Sequence, residues 1–242
     1  MTLDKRTVAE AEGFARIDFH THILPALDHG SDDVFQSQKQ IARLYSAGVT
    51  TVCATSHFYP NEKTVTDFLS AREEALDMLI SSVDGQRPEI ILGAETLICE
   101  GLERMEGLEG LCIEGTRTLL LELPLWAKSI GDGMYETVFA IRDKGIIPVL
   151  AHVDRYPREV IEPLKKEGIY AQINAVGISG VLKPRHIMDW IDDGFVVAIG
   201  SDYHYLTDKG VEAYEKLCSK RPDIMSRLFQ RSGELLTNAI KR

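Results

Sequence analysis

Asp18-Phe19-His20-Thr21-His22 closes a short apolar run with two imidazoles two residues apart. On a strand, residues two apart point the same way, so His20 and His22 can grip one ion between them. For that segment alone, two polar histidines satisfied by hydrogen bonds is the commoner reading. The rest of the chain changes the balance. Later apolar runs end in Thr55-Ser56-His57, Gly93-Ala94-Glu95, Leu121-Glu122-Leu123, Ala151-His152 and Ser201-Asp202-Tyr203-His204. Six of seven expected strands thus deliver a His, Asp or Glu at the C-terminal end, which in βα-barrels is the active-site face. Glu122 lies inside the run TLLLELPLW, where a carboxylate is costly to bury unless paired or metal-bound. A salt bridge or a helix cap explains any one of these residues, but not all of them together. Imidazole and carboxylate donors without cysteine suit Zn²⁺, Mn²⁺ or Fe.

The elements that must position these side chains follow a regular rhythm. Short β-rich runs are expected at 17–19, 49–54, 90–93, 118–123, 146–151, 170–173 and 195–199. Helical patterns lie between and after them, at 33–47, 64–82, 133–144, 158–167, 184–193, 209–219 and 223–239. Gly48, Gly145, Gly168 and Gly194 each stand where a helix gives way to a strand, the place of a C-cap glycine. Helix, glycine and strand in repetition argue for parallel strands with crossover helices. Seven such strands predict a distorted (β/α)7 TIM-like barrel in a single α/β domain, with a doubly wound open sheet as the alternative. No linker or repeat divides the 242 residues.

Lys plus Arg number 27 against 37 Asp plus Glu, a formal charge of −10. Such a surface repels a polyphosphate backbone, so nucleic acid is not an expected partner. Small or peptide-borne phosphates remain open, because bound metal ions supply positive charge locally. Cys53, Cys99, Cys112 and Cys218 form no CxxC pair and read as thiols in a reducing compartment. The N-terminus has no apolar signal core, and no run reaches the roughly 18 apolar residues of a spanning helix. A cytoplasmic protein without membrane insertion is expected.

The segments IDFHTHILPALDHG, ATSHF, LGAE, LLLELP, LAHVDRYP and GSDYH occur in an order that resembles the polymerase-and-histidinol-phosphatase (PHP) metal-dependent family. Within it the chain looks most like the bacterial manganese-dependent protein-tyrosine phosphatases of capsule and exopolysaccharide systems. The likeness runs from Ile17 to the C-terminus and leaves residues 1–16 as a polar extension. It implies two or three divalent ions, Mn²⁺ first and Zn²⁺ or Fe otherwise. His20, His22, Glu95 and Asp202 would hold one ion. Glu95 would bridge to a second, held also by Glu122 and His152. Asp28, His57 and His204 would hold a third. Arg155 would bind the substrate phosphate, and a planar guanidinium matches two phosphate oxygens. A metal-bound hydroxide would attack in line, with His204 among the groups able to protonate the leaving oxygen. The implied partner is a phosphotyrosine protein, a bacterial tyrosine kinase included.

Three places depart from that branch: Asp28-His29-Gly30 for DDG, Ser56-His57-Phe58 for TPHH, and Asp154 for the Glu of HPER. His29 reads as a solvent-facing turn residue, with an extra ligand or proton donor as the other possibility. Phe58, Tyr59, Trp126, Tyr156 and Tyr205 stand near the motifs and are expected in core or rim packing, with a role beside a substrate ring as the alternative. Competing readings are a small-molecule phosphatase acting on histidinol phosphate or a sugar phosphate, and a regulatory metal-binding module without turnover. The chain lacks a GxxxxGK[ST] loop, a GxSxG elbow, an HExxH helix and the HCxxxxxR loop of cysteine phosphatases.

Overall fold

The computed structural model describes residues 15–83, 85–124, 131–180 and 185–240. Nine strands and eight α-helices are present among them: β1 Ile17–Thr21, α1 Val34–Ser46, β2 Thr51–Ala54, β3 His57–Phe58, α2 Val65–Ser82, β4 Glu89–Leu92, β5 Glu95–Leu97, β6 Thr118–Glu122, α3 Asp132–Asp143, β7 Ile147–Leu150, α4 Arg158–Lys166, β8 Tyr170–Asn174, α5 Ala175–Ser179, α6 Arg185–Asp192, β9 Val196–Gly200, α7 Gly210–Lys220 and α8 Pro222–Leu236. Every strand pairing is parallel, as the helix–strand rhythm requires.

The expectation of seven strands in one barrel needs correction. Two of the expected runs, 49–54 and 90–93, form β2 and β4, and each is followed, after Thr55-Ser56 and after Gly93-Ala94, by a second short strand that was not expected. The pieces sort into a three-stranded sheet, β1-β2-β4, and a six-stranded sheet, β3-β5-β6-β7-β8-β9. The breaks come from a change of partner. Thr55 and Ser56 turn their carbonyls to the Glu95 N–H, each at 3.1 Å, so pairing passes from the first sheet to the second there. β1 and β9 approach across the remaining side. Asp202 donates its N–H to the His20 carbonyl at 2.9 Å and His22 donates to Tyr203 at 3.1 Å.

Residues of one strand alternate between two apolar clusters, as a pleated strand dictates. Leu119 and Leu121 belong to the larger cluster and Leu120 to the smaller. β1, β6 and β9 are buried throughout, which fits parallel strands covered on both faces. The helices start on side-chain caps where the sequence supplies them: Asp33 accepts from the Gln36 N–H and Thr64 from the Asp67 N–H. Gly48, Gly145, Gly168 and Gly194 all adopt positive φ, 74° to 84°, so each helix end turns through a conformation that glycine takes without steric cost. α5 was not expected. The helix expected at 184–193 is α6, and residue 184 lies outside the described residues.

Candidate metal centre

The strand ends converge. β1 carries His20 and leads directly into His22, β3 starts with His57, β5 starts with Glu95, and β6 ends on Glu122. His152 follows β7 by two residues; Asp202 and His204 follow β9. His152 and Asp202 both sit at positive φ, 31° and 54°, a conformation that costs energy in residues other than glycine. The left-handed turn swings each side chain back over the strand ends.

Glu95 is the hub. Its Oε2 lies 3.0 Å from His20 Nε2, 3.3 Å from His22 Nε2 and 3.1 Å from His57 Nδ1. Its Oε1 lies 2.8 Å from His152 Nε2, which is 3.5 Å from Glu122 Oε1. Asp202 Oδ1 stands 3.7 Å from His20 Nε2 and 3.5 Å from His22 Nε2. On the outer side, His57 Nε2 and His204 Nε2 face each other at 3.5 Å. Among the described residues, three sets of donor atoms are close enough together to share an ion: His20, His22 and Glu95; His57, Glu95 and Glu122; and His22, His57 and His204.

A second layer orients this one. Gln172 Oε1 accepts from His20 Nδ1 at 3.2 Å, which leaves His20 Nε2 facing Glu95, and also from the His152 N–H at 2.7 Å. Asp28 Oδ2 accepts from His22 Nδ1 at 2.8 Å and from the His57 N–H at 2.8 Å. Carboxylate or carbonyl partners of this kind fix the tautomer of metal-binding histidines. Asn174 donates to Asp202 Oδ2 at 2.8 Å. Gln172 and Asn174 are site residues that the sequence reading missed, and the one available signal was two amides inside an otherwise apolar strand.

The electrostatics are those of crowded, buried charge. Burial works against ionisation of Glu95, yet the imidazoles of His20, His152 and His22 hold its carboxyl well below the usual carboxylate range. Asp202 and Asp28 are depressed in the same way, against burial, through His20 and His22 respectively. His57 is pushed down to about 3 by burial and by His22; His204 falls to about 4 for the same reasons. His152 moves the other way, to about 9, because Glu122 and Glu95 outweigh its burial. Asp18, fully buried behind His20, is raised to about 6 by burial. Several carboxylates and imidazoles are therefore packed where water cannot compensate them.

The donor set fits divalent cations. Glu95 Oε2 and His57 Nδ1 are buried and make no aligned hydrogen bond, although nitrogens and oxygens stand at 3.0–3.3 Å around them. Groups that converge on a common point without hydrogen-bond geometry are placed as ligands of an ion would be.

Arg155, on the 3-10 turn Val153–Arg155, contacts Asp202 Oδ2 and keeps 42% of its side chain exposed. It lines a cleft of about 470 Å³ together with His29, Asp202, His204, Tyr205 and Lys209. Of the aromatic residues, Phe58 is core and packs edge-on to Phe68, while Tyr156 is buried and donates its hydroxyl to the Leu123 carbonyl. Tyr59 stacks on His57 and Tyr205 lies exposed at the rim. Trp126 lies outside the described residues. Another cleft, about 520 Å³ and bordered by Arg142, Lys165 and Asp193, contains none of the converging side chains.

Known proteins resemble this chain to different depths. Residues 16–220 match the family model of capsular polysaccharide synthesis, CpsB/CapC. The tyrosine-protein phosphatase CpsB of Streptococcus pneumoniae is 27% identical over 232 residues, covering 84% of this chain and 90% of that protein. The tyrosine-protein phosphatase YwqE of Bacillus subtilis is 25% identical over 217 residues, covering 83% and 82%. Among solved structures, one from the study of YwqE and CpsB, described as unique metal-dependent tyrosine phosphatases, superposes with a TM-score of 0.76 at 22% identity over 93% of this chain and 96% of that one. The lactonase Lmo2620 of Listeria monocytogenes shares the fold at a TM-score of 0.54 and 11% identity, covering 96% of both chains.

Proposed function

The chain belongs to the CpsB/CapC family of capsular polysaccharide synthesis, and from that premise we propose that it is a metal-dependent phosphatase of protein phosphotyrosine. The observation that carries the chemistry is the convergence of three imidazole nitrogens on Glu95 Oε2, an oxygen that is buried and has no aligned hydrogen bond. In this reading the strand ends of the two sheets form the mouth of one TIM-like site, and 17–242 is one catalytic unit. His20, His22, Glu95 and Asp202 hold one ion, and Glu95, Glu122 and His152 hold a second. His57 and His204 serve a third, with Asp28 beside them. Carboxylate-rich positions suit Mn²⁺, and Zn²⁺ or Fe fits the imidazoles.

Bound there, divalent ions lower the pKa of water toward ~7 and neutralise phosphoryl charge. The protein's own groups do the rest. Arg155 offers a planar fork to two phosphate oxygens from the open side of the cleft. Its contact with Asp202 keeps that fork beside the metal centre. His204, pushed down to about 4, is neutral near pH 7 and presents a lone pair rather than a proton. A tyrosyl phenolate, with a parent pKa of ~10, leaves without strong acid assistance. The substrate is thus a tyrosine-phosphorylated protein, with a bacterial tyrosine kinase as a fitting partner. Cys53 and Cys112, buried as thiols, accord with a reducing cytoplasm. Among the described residues no helix is long and apolar enough to cross a membrane.

The reading is tested by following phosphate release from a phosphotyrosine peptide with metal-stripped protein, before and after Mn²⁺ is added. Turnover that is unchanged by stripping would contradict it.

A further inference from the structure

Asp154 stands beside Arg155 on the 3-10 turn Val153–Arg155, yet its side chain crosses to the next strand. Its Oδ1 accepts from the Asn174 N–H at 3.0 Å, where β8 passes into α5. The same carboxylate rests on Gly177 in α5. A Cβ on Gly177 would lie 2.5 Å from Asp154 Oδ2, 2.6 Å from its Cγ and 2.8 Å from its Cβ. Those distances leave no room for a methyl group, so Asp154 comes this close because residue 177 is glycine.

These contacts close a ring of four residues. Asn174 donates Nδ2 to Asp202 Oδ2 at 2.8 Å, while its Oδ1 accepts from Gln172 Nε2 at 3.0 Å. The same Asp202 oxygen accepts from the Arg155 guanidinium. The path runs from Asp154 through Asn174 and Asp202 to Arg155, and the backbone joins Arg155 to Asp154. The turn itself is short: Arg155 donates its N–H to the His152 carbonyl at 2.9 Å, and Tyr156 donates to Val153 at 3.3 Å. A long side chain that is 42% exposed keeps much of its rotamer freedom unless its base is fixed. Asp154 supplies that fixing, from β8 rather than from the turn.

We propose that Asp154 is a positioning residue for Arg155: by tying the turn to the end of β8 against Gly177, it holds the guanidinium on Asp202, where it receives the substrate phosphate. This rests on the phosphatase reading above, in which Arg155 is the phosphate-binding group. Asp154 touches neither substrate nor ion in this account and acts through Arg155 alone. Its effect therefore falls on substrate binding and leaves the ions in place. A displacement of ~1 Å in a group that orients substrate is enough to be felt in the kinetics.

The test is steady-state kinetics on a phosphotyrosine peptide with Mn²⁺-loaded protein. Wild type, Asp154→Ala, Asp154→Asn, Gly177→Ala, Arg155→Ala and the double variant Asp154→Ala/Arg155→Ala are compared. Bound metal is counted in each, and circular dichroism checks folding. Asp154→Ala is expected to raise KM by about 3–10-fold, the worth of one hydrogen bond, with kcat and bound metal unchanged. Asp154→Asn keeps the acceptor oxygen and should restore KM. Gly177→Ala pushes the carboxylate aside and should raise KM as Asp154→Ala does. In the Arg155→Ala background, Asp154→Ala should add nothing, because the group it positions is gone. An unchanged KM in Asp154→Ala, a penalty that adds in full to that of Arg155→Ala, or loss of bound metal would each overturn the assignment and leave the phosphatase reading intact. A folded wild type without Mn²⁺-restored turnover would overturn both.

Discussion

Glu95 meets three imidazole nitrogens through one oxygen and a fourth through the other, and that single side chain sets what substitutions should do. His152→Ala and Asp202→Ala are each expected to abolish phosphatase activity in a protein with native circular dichroism; near-wild-type turnover in either would remove the ligand assignment. Arg155→Lys should leave metal uptake unchanged and raise KM by roughly 10–100-fold, the worth of a charged hydrogen bond of about 1.5–3 kcal/mol. Metal uptake should also depend on pH. His152 holds a proton up to about 9 in the metal-free protein, and a nitrogen ligand must give it up. Uptake at pH 7 therefore releases protons from His152 and from His22, which Asp28 raises against its burial, and tightens as pH rises toward 9. Calorimetry in buffers of different protonation enthalpy measures it, and uptake independent of pH would show that His152 binds already neutral. The eight His, Glu and Asp residues at strand ends were legible because such groups are costly in apolar runs. Gln172 and Asn174 were not, since an amide in a strand has no titratable or metal-ligand signature, and only the folded chain shows which groups it faces. The role of Asp28 likewise depends on which way one turn runs.

The strands and helices were legible for a different reason. Four glycines at helix ends and alternating apolar patterns marked parallel strands with crossover helices, and the fold follows them. The breaks at Thr55-Ser56 and Gly93-Ala94 were not visible, because pairing there is decided by which neighbour the backbone meets, and periodicity does not record it. α5, five residues with Gly177 inside, is too short to show a helical period. One strand position has a direct consequence for the site. A Cβ at Gly200 would lie 2.5 Å from His20 Cβ and 2.9 Å from Gln172 Nε2. Gly200→Ala should cost about 1–3 kcal/mol as an overpacked core does, and it should weaken metal uptake because His20 is displaced. Thermal melts paired with metal titration check this; unchanged uptake would mean that the site absorbs the added methyl.

For the whole molecule, an ion that binds only the folded chain stabilises it by mass action. At a free concentration of ~100 times Kd, one ion adds about 2.7 kcal/mol. For a chain of this size that is a rise of roughly 5–11 °C in Tm. Removing metal with a chelator should lower Tm by that order, and Mn²⁺ should restore it; a melting temperature indifferent to both would mean that the buried carboxylates are balanced by the histidines alone. Against an acidic surface, −10 overall, the metal centre and Arg155 offer an anion local positive charge.

The central claim is most directly tested by measuring initial rates on a phosphotyrosine peptide and on histidinol phosphate, side by side, with metal-stripped protein in the presence and absence of Mn²⁺. The expected result is turnover only with added metal and a strong preference for the peptide. Preference for histidinol phosphate would keep the centre and contradict the substrate, and no metal-restored turnover of either would contradict the account of the site as a phosphatase.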